Sequence, residues 1–201
     1  MSVVALDTLI RDRRVWRGRR HVAPADSGQP TGWPALDAQL PAGGWPEGAV
    51  SEVLSAADGL GELRLVLPTV ARLTRAGRHV VLVTPPYLPY VPAWQTAGVD
   101  TDHLTVIDAP DDGRAWALEQ CLRSGACAAV LGWLERPDHR TLRRLQVAAG
   151  TGHALGLLFR DRAALANPSP ATLRIEVAPT RLYVRKCRGR PPSGPISFAA
   201  F

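Results

Sequence analysis

The chain has 201 residues, a formal net charge of +6, 46% hydrophobic residues and three cysteines. That is enough apolar material for one domain with a full core, and it excludes a disordered chain. No apolar run reaches bilayer length, and the first charges follow the first apolar stretch, the reverse of a secretion signal; a cytoplasmic location is expected.

Cys121, Cys127 and Cys187 have no CxxC spacing, so neither a disulfide framework nor a zinc site is expected. Cys121 and Cys127 read as buried cysteines in apolar surroundings. The five histidines form no metal-ligand pattern, and no cofactor is expected. The positive charge sits at the ends. Six arginines fall within residues 11–20, and Arg181, Arg185, Lys186, Arg188 and Arg190 form a second cluster. Residues 21–180 hold 13 basic and 16 acidic side chains. Basic ends suit nucleic acid or an acidic partner. Lys186 is the only lysine, which points equally to a general arginine bias.

In chain order, helical spacing of Val3, Leu6, Leu9, Ile10 and Val15 predicts a helix over 2–17. A polar Gly/Pro linker follows, then a short helix at "WPALDAQL", a turn at "PAGGWPEG" and a strand at "AVSEVLS". A helix is predicted over 62–76, ending at Gly77, then a strand over 79–84 and a short helix in "PYLPYVPAWQTAG". Strands over 103–108, 127–133 and 153–160 alternate with helices over 113–124 and 138–149. "RDRAALANPSP" reads as a loop, and "ATLRIEVAP" with "RLYVRKCR" as an antiparallel hairpin. The pattern predicts an α/β three-layer fold with a mostly parallel central sheet. Its divisions are a basic helix and linker at 1–29, a core at 30–187 and a Pro/Gly tail at 188–201.

The stretch "SEVLSAADGLGELRL" places a glycine-bearing loop between strand and helix, the setting of a phosphate-binding loop. Laid on that template, Ala56 and Gly61 fall at the two glycines, Glu62 at the lysine and Leu63 at the magnesium-binding hydroxyl. A carboxylate repels a triphosphate and a leucine cannot ligate magnesium, so the loop is degenerate.

"TGWPALDAQLPAGGWPEGAVSEVL" resembles the run that precedes the P-loop in the RecA recombinase family. Thr31, Gly32, Leu36, Asp37, Leu40, Gly43, Gly44, Pro46, Gly48 and Glu52 carry the likeness, which continues more weakly to about residue 180. The resemblance implies a RecA-like fold. It also places Pro86 where that family has its catalytic glutamate and Gly132 where it has the Walker B aspartate. Three parts of phosphoryl transfer are missing together, which implies a scaffold, not an enzyme.

Among RecA-like chains without a P-loop, this one resembles the ImuA family in length, degenerate loop and the ending "RKCRGRPPSGPISF". The resemblance implies a non-catalytic adaptor in DNA-damage-induced (SOS) mutagenic translesion synthesis. Its partners would be ImuB, RecA and an error-prone DnaE-type polymerase. The related SulA-type division inhibitors, which bind FtsZ, offer one alternative, and a divergent ATPase with unconventional nucleotide binding another.

The candidate partner-binding residues lie at both ends. Leu6, Leu9, Ile10, Arg13, Arg14, Trp16 and Arg17 form an N-terminal docking helix for a partner or a second copy; the alternative is a helix folded on its own domain. Arg185, Lys186, Arg188, Arg190, Ile196, Phe198 and Phe201 form a C-terminal peptide for a partner or DNA; the alternative is a tail tucked against the sheet. Direct DNA contact would otherwise fall to Arg160 and Arg162 in the loop after the last parallel strand. The tryptophans other than Trp16 are expected in the core.

Overall fold

The computed structural model describes residues 28–191 and 194–198. A two-stranded ribbon pairs β1 (Gly28–Gln29) with β2 (Trp45–Pro46), with the short helix α1 (Pro34–Asp37) between them. The main sheet has eight strands: β3 (Val50–Ser55), β4 (Val80–Val83), β5 (Leu104–Ile107), β6 (Ala129–Trp133), β7 (Leu155–Asp161), β8 (Leu173–Ala178), β9 (Arg181–Cys187) and β10 (Ile196–Ser197). Their order is β10-β9-β8-β3-β7-β6-β4-β5. All pairings from β8 to β5 are parallel, and β9 and β10 add antiparallel edges. The helices are α2 (Glu62–Arg75), α3 (Val91–Thr96), α4 (Arg114–Arg123) and α5 (His139–Gly152).

The central strands read as continuous apolar runs because both sheet faces are covered. Successive residues alternate between two cores. Val80, Leu82, Leu155, Leu157 and Phe159 face one side with α2, whereas Val81, Val83, Val130 and Leu158 face the other with α4 and α5. This is the expected three-layer α/β arrangement, with its C-terminal hairpin at β8–β9.

The run at residues 31–48 that resembles the RecA family has a structural role here. Thr31 N donates to Asp37 Oδ1 (3.0 Å), and Trp33 N to Thr31 Oγ1 (3.0 Å), which fixes the entry to α1. Gly32, at φ +86°, lies against Pro68 of α2; a side chain there would meet Pro68 Cγ at 3.1 Å. Trp45 is fully buried, and its Nε1 donates to Thr69 Oγ1 (2.9 Å), tying the ribbon to α2.

Several expectations are corrected. The Pro/Gly tail is not separate from the core: Ile196 and Phe198 are buried, β10 pairs with β9, and Phe198 packs edge-on to Trp33 at 4.7 Å. Two large apolar side chains close to a sheet edge gain more by covering that edge than by staying in water. Residues 28–29 and 45–46, expected as linker end and turn, pair with each other. The loop after β7 contains a 3-10 turn, Arg162–Ala166. Trp116 is 62% exposed instead of buried.

The cysteines are only half-buried. The Cys121 thiol, hydrogen-bonded to Cys127, lowers Cys127 to about 6, with Ser124 Oγ adding a contact at 3.8 Å. The same contact, aided by burial, pushes Cys121 up.

At Gly132 in β6, an added Cβ would fall 2.8 Å from Leu118 Cδ1 of α4 and closer still to Cδ2. Gly132→Ala is expected to cost roughly 1–3 kcal/mol, read by urea unfolding. Leu118→Ala in the same chain should recover part of that loss, whereas additive losses would contradict the packing argument.

Candidate functional site

The parallel strands end on one side of the sheet, where an α/β crevice is expected. There a cleft of about 1050 Å³ lies between the β3–α2 loop, the ends of β4, β6 and β7, and the turn after β7. Of the six positions identified with the degenerate nucleotide site, Glu62 and Pro86 line this cleft. Ala56 lines a smaller hollow beside it, and Leu63 lines an adjoining one of about 420 Å³. Gly61 is the N-cap of α2, at φ +102°, and Gly132 lies beneath as the close-packing point described above.

The β3–α2 loop has the strand–loop–helix setting of a phosphate-binding loop and supplies its own anion. Glu62, the first residue of α2, folds back so that its Oε1 accepts the Gly59 amide at 2.8 Å. The side chain is buried, at 7% exposure, and Oε2 has no hydrogen-bond partner among the described residues. A carboxylate at a helix N-terminus is favoured by the helix dipole and by unpaired amides, the same forces that would hold a phosphate. Gly59 (φ +79°) and Gly61 allow the sharp reversal that brings the carboxylate back.

The surrounding charges agree with that substitution. Asp58, Asp108, Glu135 and Asp161 also line the cleft. Of its arginines, Arg160 is engaged by Glu52 and Arg114 by Asp111 (2.7 Å), which leaves Arg136. With a leucine where magnesium needs a hydroxyl, these groups do not fit a metal-bound triphosphate.

A buried ionic cluster supports the cleft's far wall. Glu52, at the centre of β3 and 0% exposed, accepts from Arg160 Nη1 (2.8 Å), Arg174 Nε (2.6 Å) and Ser169 Oγ (2.7 Å). Arg174 also donates to the carbonyls of Ala164 (2.8 Å) and Asn167 (3.1 Å), and Lys186 Nζ to that of Ser169 (2.6 Å). Residues 164–169 are thus pinned to the sheet by cations. Burial, with Arg174 nearby, lowers the Lys186 pKa.

The expected cationic surfaces are therefore partly used inside the fold. Arg160 is buried, and Arg162 Nε pairs with Glu176 (2.8 Å), so neither is a free contact for DNA phosphate. Arg185 shares Glu176 (2.5 Å), and Arg190 Nη1 donates to the Ala38 carbonyl (2.7 Å). Of the C-terminal cluster Arg188 is exposed; its backbone N–H donates to the Thr172 carbonyl, and its side chain has no hydrogen bond or ion pair among the described residues. Leu6, Leu9, Ile10, Arg13, Arg14, Trp16, Arg17 and Phe201 lie outside the described residues.

Sequence reasoning missed an apolar surface beside the cleft. Tyr87 (72% exposed), Leu88 (88%) and Tyr90 project from the proline-rich segment between β4 and α3. Four prolines within 85–92 stiffen that segment. The cluster "PPYLPYVP" was the available signal.

No family model matches the chain. Protein RecA of Streptomyces ambofaciens is 39% identical over 105 residues, which span 51% of this chain and 27% of that protein. Cell division inhibitor SulA of Edwardsiella piscicida is 33% identical over 102 residues, 50% of this chain and 61% of that protein. The crystal structure of SulA from Pseudomonas aeruginosa aligns with a TM-score of 0.47 and 25% identity, over 55% of this chain and 97% of that one. The chain is thus weakly related in sequence to RecA and to SulA, and spans less than two thirds of either curated relative.

Removing Glu52 leaves two guanidinium groups buried without their counter-ion. Glu52→Ala is expected to cost about 3–5 kcal/mol, measured by thermal unfolding, with faster amide exchange over residues 162–170. Exchange there at the native rate would contradict the pinning role.

Proposed function

We propose that the chain is a non-catalytic RecA-like adaptor in DNA-damage-induced (SOS) mutagenic translesion DNA synthesis. In this reading it binds ImuB, contacts RecA and supports an error-prone DnaE-type polymerase. The observation that carries the non-catalytic part is the Glu62 carboxylate on the Gly59 amide, where a nucleotide phosphate would otherwise be held. The sequence relation to RecA and SulA supports a DNA-damage setting. The exposed Tyr87, Leu88 and Tyr90 side chains supply a surface suited to protein contact.

A second reading is a SulA-like division inhibitor that binds FtsZ. The identity to SulA favours it, and that match covers more of SulA than the RecA match covers of RecA. The two readings predict different captures by the same surface.

The test is co-purification of the tagged full chain with ImuB and, separately, with FtsZ from the same source. The adaptor reading predicts ImuB capture that falls roughly tenfold or more in Leu88→Asp and Tyr90→Asp, with a melting temperature close to that of the parent. Capture of FtsZ but not ImuB would transfer the assignment to the division inhibitor. Capture of neither would overturn both.

A further inference from the structure

We infer that the acidic cleft is a receptor for an arginine-rich peptide, and that its occupant is this chain's own basic segment, residues 11–20. The inference does not rest on the identity of the partner proposed above.

The first ground is the charge of the cleft. Asp58, Asp108 and Glu135 are exposed on its lining and have no hydrogen bond or ion pair among the described residues. Asp161 adds a fourth carboxylate, which among the described residues accepts only the nearby Ala163 amide (2.6 Å). Among the described residues, Arg136 is the one lining arginine not engaged by a carboxylate. Such a surface repels phosphate and nucleic acid and attracts cations.

The second ground is independent of that cluster. Glu62 is buried, at 7% exposure, lines the cleft, and has Oε2 without a partner among the described residues. Buried carboxylate oxygens are rarely left unmatched, and a donor from a ligand supplies the match. Arg160, 9% exposed, and Arg114 line the same cleft, and each has Nε without a partner among the described residues. An orphan acceptor and orphan donors together call for a ligand carrying both kinds of group. A peptide does so: guanidinium groups face the carboxylates, and main-chain carbonyls face the arginines. A single metal ion does not, since no three acidic, histidine or cysteine side chains converge among the described residues.

The third ground is reach. Residues 11–20 contain six arginines and one aspartate. The described chain begins at Gly28, and Gln29 Oε1 accepts from Arg72 Nη1 (2.8 Å) on α2. Arg72 lies ten residues beyond Glu62, about 15 Å along the helix. The stretch from Arg20 to Gly28 spans up to about 26 Å when extended, a length sufficient for the arginines to reach the cleft from their own chain. A tether this short gives an effective concentration in the millimolar range, which favours the cis occupant over a second copy.

The test uses the full chain carrying Arg17→Lys, whose only other lysine is Lys186. Zero-length carbodiimide coupling is followed by peptide mapping of an equal mixture of isotopically light and heavy protein. The expected result is coupling from position 17 to Asp58, Asp108, Glu135 or Asp161 within one chain. The yield should fall roughly fivefold or more in about 0.5 M salt, and likewise in the Asp58→Asn, Glu135→Gln double variant. Those two carboxylates are exposed, so a melting curve matching the parent separates loss of docking from loss of fold. Coupling only to carboxylates away from the cleft, such as Glu47 or Asp102, would overturn the inference. So would coupling only between light and heavy chains, or none.

Discussion

Glu52 holds the centre of this molecule. It lies on β3, between the parallel strands β7 and β8, and takes hydrogen bonds from both Arg160 and Arg174 out of contact with water. A lone carboxylate there would be strongly disfavoured, and so would either arginine. Together they join three adjacent strands, and Arg174 extends the cluster into the turn after β7 through two carbonyls. That turn is one wall of the cleft. The cluster also commits Arg160, the most deeply buried arginine on the cleft lining, to an internal partner.

The same economy governs the opposite wall. A phosphate-type loop needs an anion at the helix N-terminus, and Glu62 supplies one covalently. A ligand anion must overcome this carboxylate, which cannot diffuse away. With Arg160 and Arg114 already paired, the carboxylates around the cleft set its sign. A crevice that the fold places at the usual ligand position is thereby better suited to cationic groups than to nucleotide.

Much of the fold was legible because its determinants are local. Continuous apolar runs marked the buried parallel strands, and period-two alternation marked the β8–β9 hairpin. The glycines and threonine near residues 31–48 each have a local reason: Gly32 lies on Pro68 and Gly44 on the Gln29 backbone, Gly43 and Gly48 take positive φ, and Thr31 N donates to Asp37. The degenerate loop was legible too, since Glu62 at the lysine position is a chemical contradiction in one residue. What escaped was long-range. Glu52 and Arg174 are 122 residues apart, and nothing near either one shows the pair. The two-residue strand β10 lies in a Gly/Pro tail without periodicity, so Ile196 and Phe198 read as exposed when they close the core. The C-terminal basic cluster read as free charge, although Arg185, Lys186 and Arg190 each have an internal partner.

The claim that most needs a direct measurement is that Glu62 occupies the phosphate position of its own loop. We would record the amide resonance of Gly59 in ¹⁵N-glycine-labelled full-length protein, with and without magnesium and ATP at several millimolar. The account predicts no shift on adding nucleotide, and a large shift of that one resonance in Glu62→Ala. A saturable nucleotide-induced shift of Gly59 in the parent protein would contradict it, because the amide would then be open to phosphate.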